Sequence, residues 1–291
     1  MIAELFNVVA PVFMIAAIGF LWVRRGYEFP TEFVTRMNMN IGAPCLVFSG
    51  IMKLGGGLTE AVGFLTASLV SILALLLVSA LFAVIFRLPK RAYIVSLFST
   101  NSGNMGLPLC LFAFGEQGMA LAIAYFTVSV VFQFTVALFI SHGQLTAGSL
   151  TRITMLYGIA GALVFNLGDI PPPTWLMNTT SLLGGVTIPL MLLTLGASLA
   201  RLKLEKSGKL VLISGFKLAM GVSVGLLVTS LFGLTGLERN VLILQNSMPV
   251  AVFSYLLASQ YNRSPDEVAS LIFITTLMSL ITVPLMLTYL F

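Results

Sequence analysis

The sequence predicts an all-α membrane protein: ten transmembrane helices in two inverted five-helix repeats, with broken helices four and nine crossing. Three observations predict it. First, apolar residues make up 58% of the 291 residues and charged residues only 9%, against about 25% charge in an ordinary soluble domain. Such a surface is suited to lipid rather than water. Second, apolar runs near the length of about 20 residues that crosses about 30 Å of hydrocarbon recur ten times along the chain. Third, two pairs of prolines repeat at nearly one spacing. Pro44 and Pro189 lie 145 residues apart, and Pro108 and Pro249 lie 141 apart.

The ten expected spans are 4–23, 33–52, 62–86, 92–115, 118–141, 152–168, 176–199, 208–233, 240–260 and 267–290. The run from Ile2 to Val23 lacks the basic leader and small-residue cleavage site of a signal peptide, so it reads as a retained first helix. The sixth span is short. Gly, Asn and Pro interrupt the fourth and ninth. The connectors are short, including 141–151, and Pro171, Pro172 and Pro173 make a stiff link between spans six and seven. Basic residues favour cytoplasmic loops. With both termini outside, the inner loops carry Arg24, Arg25, Arg36, Arg87, Lys90, Arg91, Arg152, Arg201, Lys203, Lys206, Lys209 and Arg263, and the outer loops only Lys53 and Arg239. This asymmetry is expected of an even number of crossings.

The proline spacing divides the chain into repeats 1–145 and 146–291. Five spans is an odd number, so the second copy enters the membrane upside down, the inverted arrangement common in secondary transporters. The polar context repeats too. Span four reads Ser99, Thr100, Asn101, Ser102, Gly103, Asn104, Met105, Gly106, Leu107, Pro108, and span nine reads Gln245, Asn246, Ser247, Met248, Pro249. Proline removes a backbone donor and clashes with the preceding turn, so each span is expected to split into two half-helices. Irregular backbone at membrane depth has to be buried in protein or line a watery cavity. Where two broken helices cross, the N-termini of the second halves favour an anion. The candidate substrate-binding residues are therefore Asn101, Ser102, Asn104, Pro108, Gln245, Asn246 and Pro249.

Lys217 is the one basic residue set away from the ends of a span. Intramembrane charge is expensive and by default functional, so Lys217 is a candidate charge partner for the anion. It is also expected to reach part of the way back to the inner interface, about 12 Å along the helix from Lys209. No Asp or Glu lies in the middle of a span, which argues against coupling through a buried carboxylate. Sodium held by backbone carbonyls and proton coupling both stay open, and no bound cofactor is expected. The single histidine, His142, sits at the inner end of span five and leaves no metal cluster. Cys45 and Cys110 read as small buried residues. The sequence carries no H-E-x-x-H motif and no paired intramembrane aspartates, which argues against an intramembrane enzyme. The net charge of +5 follows topology rather than nucleic acid.

At the two interrupted spans the chain resembles the auxin efflux carrier family, which includes the plant PIN-formed carriers and bacterial organic-acid permeases. The residues from Asn101 to Pro108 look like that family's segment before the fourth-helix proline. Gln245 to Pro249, followed by Ala258, Ser259, Gln260 and Tyr261, look like its ninth-helix crossover. The opening Ala10, Pro11, Val12, Phe13 through Gly19, with Arg24, Arg25 and Gly26, is also similar. The resemblance implies a scaffold of helices one, two, six and seven and a moving transport domain of helices three to five and eight to ten. It also implies a homodimer, and a carboxylate substrate met by Asn101 and Gln245. Plant carriers have a long hydrophilic loop after helix five. The short connector here looks like a compact bacterial member in an inner membrane, with malate or malonate a better expectation than auxin. Two alternatives are a sodium-coupled organic-anion carrier of the bile-acid type and a membrane receptor without transport.

Overall fold

A computed structural model describes residues 2–53, 58–143, 154–168, 170–205 and 207–291. Most of the connector 141–151, together with Arg152, Asp169 and Lys206, lies outside the described residues. The described residues form helices without a named strand. In chain order these are α1 (Ile2–Arg24), α2 (Thr31–Met37), α3 (Ala43–Lys53), α4 (Leu58–Ile85), α5 (Lys90–Phe98), α6 (Leu107–Phe132) and α7 (Leu138–His142). They continue with α8 (Met155–Leu167), α9 (Thr174–Arg201), α10 (Gly208–Leu231), α11 (Gly236–Asn246), α12 (Val252–Gln260) and α13 (Pro265–Leu290). Single π-helical turns at Asn38–Gly42, Ser102–Gly106 and Gln133–Ala137 join α2 to α3, lead into α6, and join α6 to α7.

Among the described residues six helices are long and apolar enough to cross a membrane. Large apolar side chains stay exposed along them, among them Leu77, Leu212 and Ile281. Water would penalise such faces and lipid does not. The longest of the six, Ser102–His142, has 41 residues, or about 60 Å at about 1.5 Å per residue. It is not straight. Gly115 takes φ 68 and ψ −163, a backbone conformation that a side chain would disfavour, and the chain turns there.

The helices pack in two groups. In the first, α1 runs along α9, and α3 lies against both α8 and α9. Carbonyl groups approach glycine here: a β-carbon at Gly196 would stand 1.8 Å from Ala16 O, and one at Gly19 would stand 2.1 Å from Leu193 O. In the second group, α4 packs on α5, α6 and α10, while α10 packs on α11 and α13. Between the groups, α3 and α1 touch α6, and α9 lies against the Ser102–Gly106 turn.

The repeated prolines do not share one local structure. Pro44 follows the π turn Asn38–Gly42, whereas Pro189 lies inside continuous α9. A π bulge is one way a helix absorbs a missing donor, and a kink is another.

Candidate functional site

Both interrupted segments lose their helical backbone. α5 stops at Phe98, Ser99 is extended at φ −77 and ψ 111, and Asn101 takes φ −77 and ψ 49 before the π turn. The break in span four thus falls at residues 99–101, seven residues before Pro108, which was expected to mark it. Pro108 instead lies at the start of α6, directly after the π turn Ser102–Gly106 that leads into it. In span nine, α11 stops at Asn246 and α12 begins after Ala251, which has φ −67 and ψ 136. This break holds Pro249, as the sequence suggested.

The two breaks meet. Thr100 and Val250 form an isolated antiparallel bridge. The Asn101 N–H donates to Pro249 O at 2.8 Å, and the Ala251 N–H donates to Ser99 O at 3.0 Å. The Val250 N–H donates to Thr275 Oγ1 of α13 at 3.2 Å. Two of the backbone donors expected to greet an anion are therefore spent on holding the crossing together. What stays open is the first turn of each second half-helix, since neither N-terminus is closed by a capping side chain.

Around the bridge the candidate side chains converge from both segments. Gln245 is fully buried, and a β-carbon at Gly106 would stand 2.2 Å from its Oε1. The side chain therefore lies directly on the π turn of the other span. Gln245 Nε2 donates to Cys110 Sγ at 3.6 Å. Among the described residues its Oε1 has no partner, and neither does Asn101 Nδ2. Asn246 is held on both sides: its Nδ2 donates to Leu242 O at 2.8 Å, and its Oδ1 accepts from the Tyr125 hydroxyl at 3.2 Å. Ser102 Oγ donates to Ser129 Oγ at 3.4 Å, and Gln133 Nε2 donates to the same oxygen at 3.2 Å. Asn104 is half-buried, and Pro108 and Pro249 are buried. A buried amide left without a partner is unfavourable by about 1–3 kcal/mol, so Asn101 and Gln245 are the pair most in want of a guest.

Tyr125, Ser129, Gln133, Cys110 and Thr275 join this polar knot although the sequence reading did not select them. Their signal was present as polar groups inside apolar runs. Apart from Cys110, two residues past Pro108, none lies near the prolines that mark the candidate segments.

Lys217 does not reach the inner interface. It is wholly buried, and its Nζ has no hydrogen-bond partner among the described residues. His142 ends α7 with its ring 4.9 Å from that of Tyr261, and both cysteines are free, Cys110 buried as expected but Cys45 only half-buried. Among the described residues no group of His, Cys, Asp and Glu is arranged to hold a metal ion.

Between α3, α6 and α9 lies a cleft of about 300 Å3. Leu111, one turn beyond Pro108, lies on its wall with Ile188 and Pro189, and Lys53 and Glu116 pair across it at 3.2 Å.

Kinship says what kind of protein holds this buried polar crossing. A family described as membrane transport protein matches the chain over residues 5–154 and 152–287. The chain belongs to this family. With it comes membership of the auxin efflux carrier group that spans four and nine resemble, a group of transporters and not of enzymes. An uncharacterized transporter of Methanothermobacter thermautotrophicus is 30% identical over 194 residues, covering 64% of this chain and 63% of that protein. An uncharacterized transporter of Methanocaldococcus jannaschii is 29% identical over 242 residues, covering 76% of this chain and 75% of that protein.

Proposed function

We propose that this member of the family is a secondary transporter of small organic anions, bound as carboxylates where the two broken segments cross. The observation that carries the reading is the pairing of Asn101 and Ser99 with Pro249 and Ala251, next to the unpartnered amide atoms of Asn101 and Gln245. An amide turned by 180° exchanges its oxygen and nitrogen, so Gln245 can offer either atom to a guest. Neutral amides and open helix N-termini hold a carboxylate without fixing it permanently.

The chain crosses the bilayer ten times in this proposal, as repeats 1–145 and 146–291 of opposite orientation, with both termini outside a cell's inner membrane. The turn at Gly115 supports a change of span there: residues 102–115 complete the crossing that α5 begins, and the rest of Ser102–His142 is long enough for the next one. Spans one, two, six and seven form the scaffold, in keeping with the packing of α1, α3, α8 and α9. Spans three to five and eight to ten form a transport domain that slides past it in an elevator motion. The cleft between α3, α6 and α9 lies on that boundary. The working unit is a homodimer.

The test is direct binding and flux. Thermal shift of the purified protein with mono- and dicarboxylates, with and without sodium, followed by uptake into proteoliposomes, should give carboxylate-specific stabilisation and flux. Asn101→Ala and Gln245→Ala should each weaken binding about 10-fold to 100-fold, as expected for a hydrogen bond to a charged group of about 1.5–3 kcal/mol. Unaltered binding in both variants would remove the crossing as the site. Binding without flux would make the protein a receptor, and strict sodium dependence would favour the bile-acid type of carrier.

A further inference from the structure

The remaining unexplained group is Lys217, and its place in the helix register is informative. α10 and α11 follow one another through a short turn and pack as neighbours. A β-carbon at Gly225 would stand 3.0 Å from Ile243 Cα, and one at Gly221 would stand 2.2 Å from Asn246 O and 3.2 Å from Ser247 Cα. As the α10 numbers fall, the α11 numbers rise, so the two helices run antiparallel. Residues four apart share a helix face. The next position on this face is Lys217, and continuing the same register puts it opposite the unwound residues 247–251. Its side chain leans toward the N-terminus of α10, further along the same segment.

Among the described residues Lys217 has no counter-charge there, and its Nζ is buried and unpartnered, as is the Oγ of Ser214 one turn away. The elements packed on α10 are α4, α11 and α13. Their acidic and basic residues are Glu60 near the start of α4, whose side chain lies outside the described residues, Glu238 and Arg239 in the first turn of α11, and Asp266 and Glu267 in the first turn of α13. Glu267 accepts from the Tyr93 hydroxyl at 2.5 Å. Glu238 and Glu267 each lie eight residues from a residue at the crossing, Asn246 and Thr275, which is about 12 Å along a helix. The other titratable groups nearby, Tyr125 and Cys110, face Asn246 and Gln245.

We propose that Lys217 is the residue that fixes the charge of the cargo, and that it selects organic acids bearing one negative charge. The inference rests on the carboxylate reading above and deepens it. One buried ammonium balances one carboxylate. A dianion in the same place leaves a second charge unpaired in a medium of low dielectric, which is heavily penalised. The amides of Asn101 and Gln245 add directional hydrogen bonds but no charge. A dicarboxylate then enters as its singly protonated form.

The experiment compares propionate, malonate and propionamide, matched in carbon number and differing in charge, as competitors of carboxylate uptake in proteoliposomes. Binding is followed in parallel by thermal shift. At neutral pH the wild type should prefer propionate to malonate by tenfold or more. Acidification, which returns a proton to malonate, should narrow that gap. Lys217→Gln should lose tenfold or more in propionate affinity and bring it toward propionamide, while Lys217→Arg should keep the preference for the monoanion. Thermal unfolding of each variant checks that it is folded, and the wild-type comparison across pH needs no variant. If the malonate dianion binds as well as propionate, or if Lys217→Gln keeps the wild-type preference, the charge-selecting role is overturned. If no carboxylate binds or moves, the carrier reading falls first and this inference falls with it.

Discussion

The Asn101 backbone N–H donates to Pro249 O at 2.8 Å, so the two broken segments satisfy each other's backbone across 148 positions of sequence. A broken helix inside a membrane leaves orphan donors and acceptors that lipid cannot meet. Here each break supplies what the other lacks: Asn101 gives a donor to Pro249, and Ala251 gives one to Ser99. The crossing is thus a structural unit in its own right. It links α5 and α6 to α11 and α12, and those half-helices should move together in any transport step.

Removing one of these bonds tests that unit. Ala251 has φ −67, close to the angle proline imposes, so Ala251→Pro deletes the donor to Ser99 O with little change of backbone. Stability in detergent should fall by about 1–3 kcal/mol, the penalty for a buried group left unsatisfied, and uptake should fall with it. An unchanged melting temperature together with unchanged uptake would deny the bridge any role.

Close packing at Gly221 gives a second expectation. A β-carbon there meets the backbone oxygen of Asn246 at 2.2 Å, while one at Gly215 in the same helix meets nothing within 4 Å. Gly221→Ala should therefore push α10 from the crossing and destabilise by about 1–3 kcal/mol, the usual penalty for overpacking. Gly215→Ala should be neutral or stabilising by up to about 1 kcal/mol, from helix propensity alone. Paired melting curves read the difference, and equal shifts in the two variants would contradict the packing.

The long apolar helices were legible in the sequence because a fixed bilayer thickness demands runs of fixed length: α1, α4, α9, α10 and α13 fall close to their expected limits. The interruption of span nine was legible because Pro249 lies in it. That of span four was misplaced, because its cause is not local. Residues 99–101 are pulled out of the helix by partners from residues 249–251, and no nearby residue signals this. Gly103 and Gly106, read as unwinding positions, serve instead for close approach, to Phe126 and to Gln245. The fate of Lys217 was hidden for a related reason. Sequence gives its depth, but only the register of α10 on α11 decides whether the side chain turns outward or into the crossing.

Tyr125 deserves a test because it was not anticipated. Its hydroxyl is the described donor to Asn246 Oδ1, at 3.2 Å. Tyr125→Phe keeps the ring packing and strips that donor, so stability should fall by about 1 kcal/mol. Asn246 would then be free to turn, and carboxylate affinity should weaken as well. Isothermal titration with a carboxylate that stabilises the wild type would record it. Wild-type affinity would confine Tyr125 to packing.

The cleft offers the sharpest separation of folding from function. Gly185 of α9 lies on its wall, and a β-carbon there meets nothing within 4 Å. Gly185→Trp places a large ring into about 300 Å3 of open space without displacing a neighbour. Melting temperature should therefore hold near wild type, since surface substitutions away from special features stay within about 0.5 kcal/mol. Flux should fall steeply, because the ring occupies the boundary along which α6 would pass α3 and α9 in the proposed elevator motion. Binding at the crossing, measured from the opposite face, should survive. If uptake through Gly185→Trp matched the wild type, the cleft would lie off the transport path, and the moving boundary would have to be sought elsewhere, between α1 and α13.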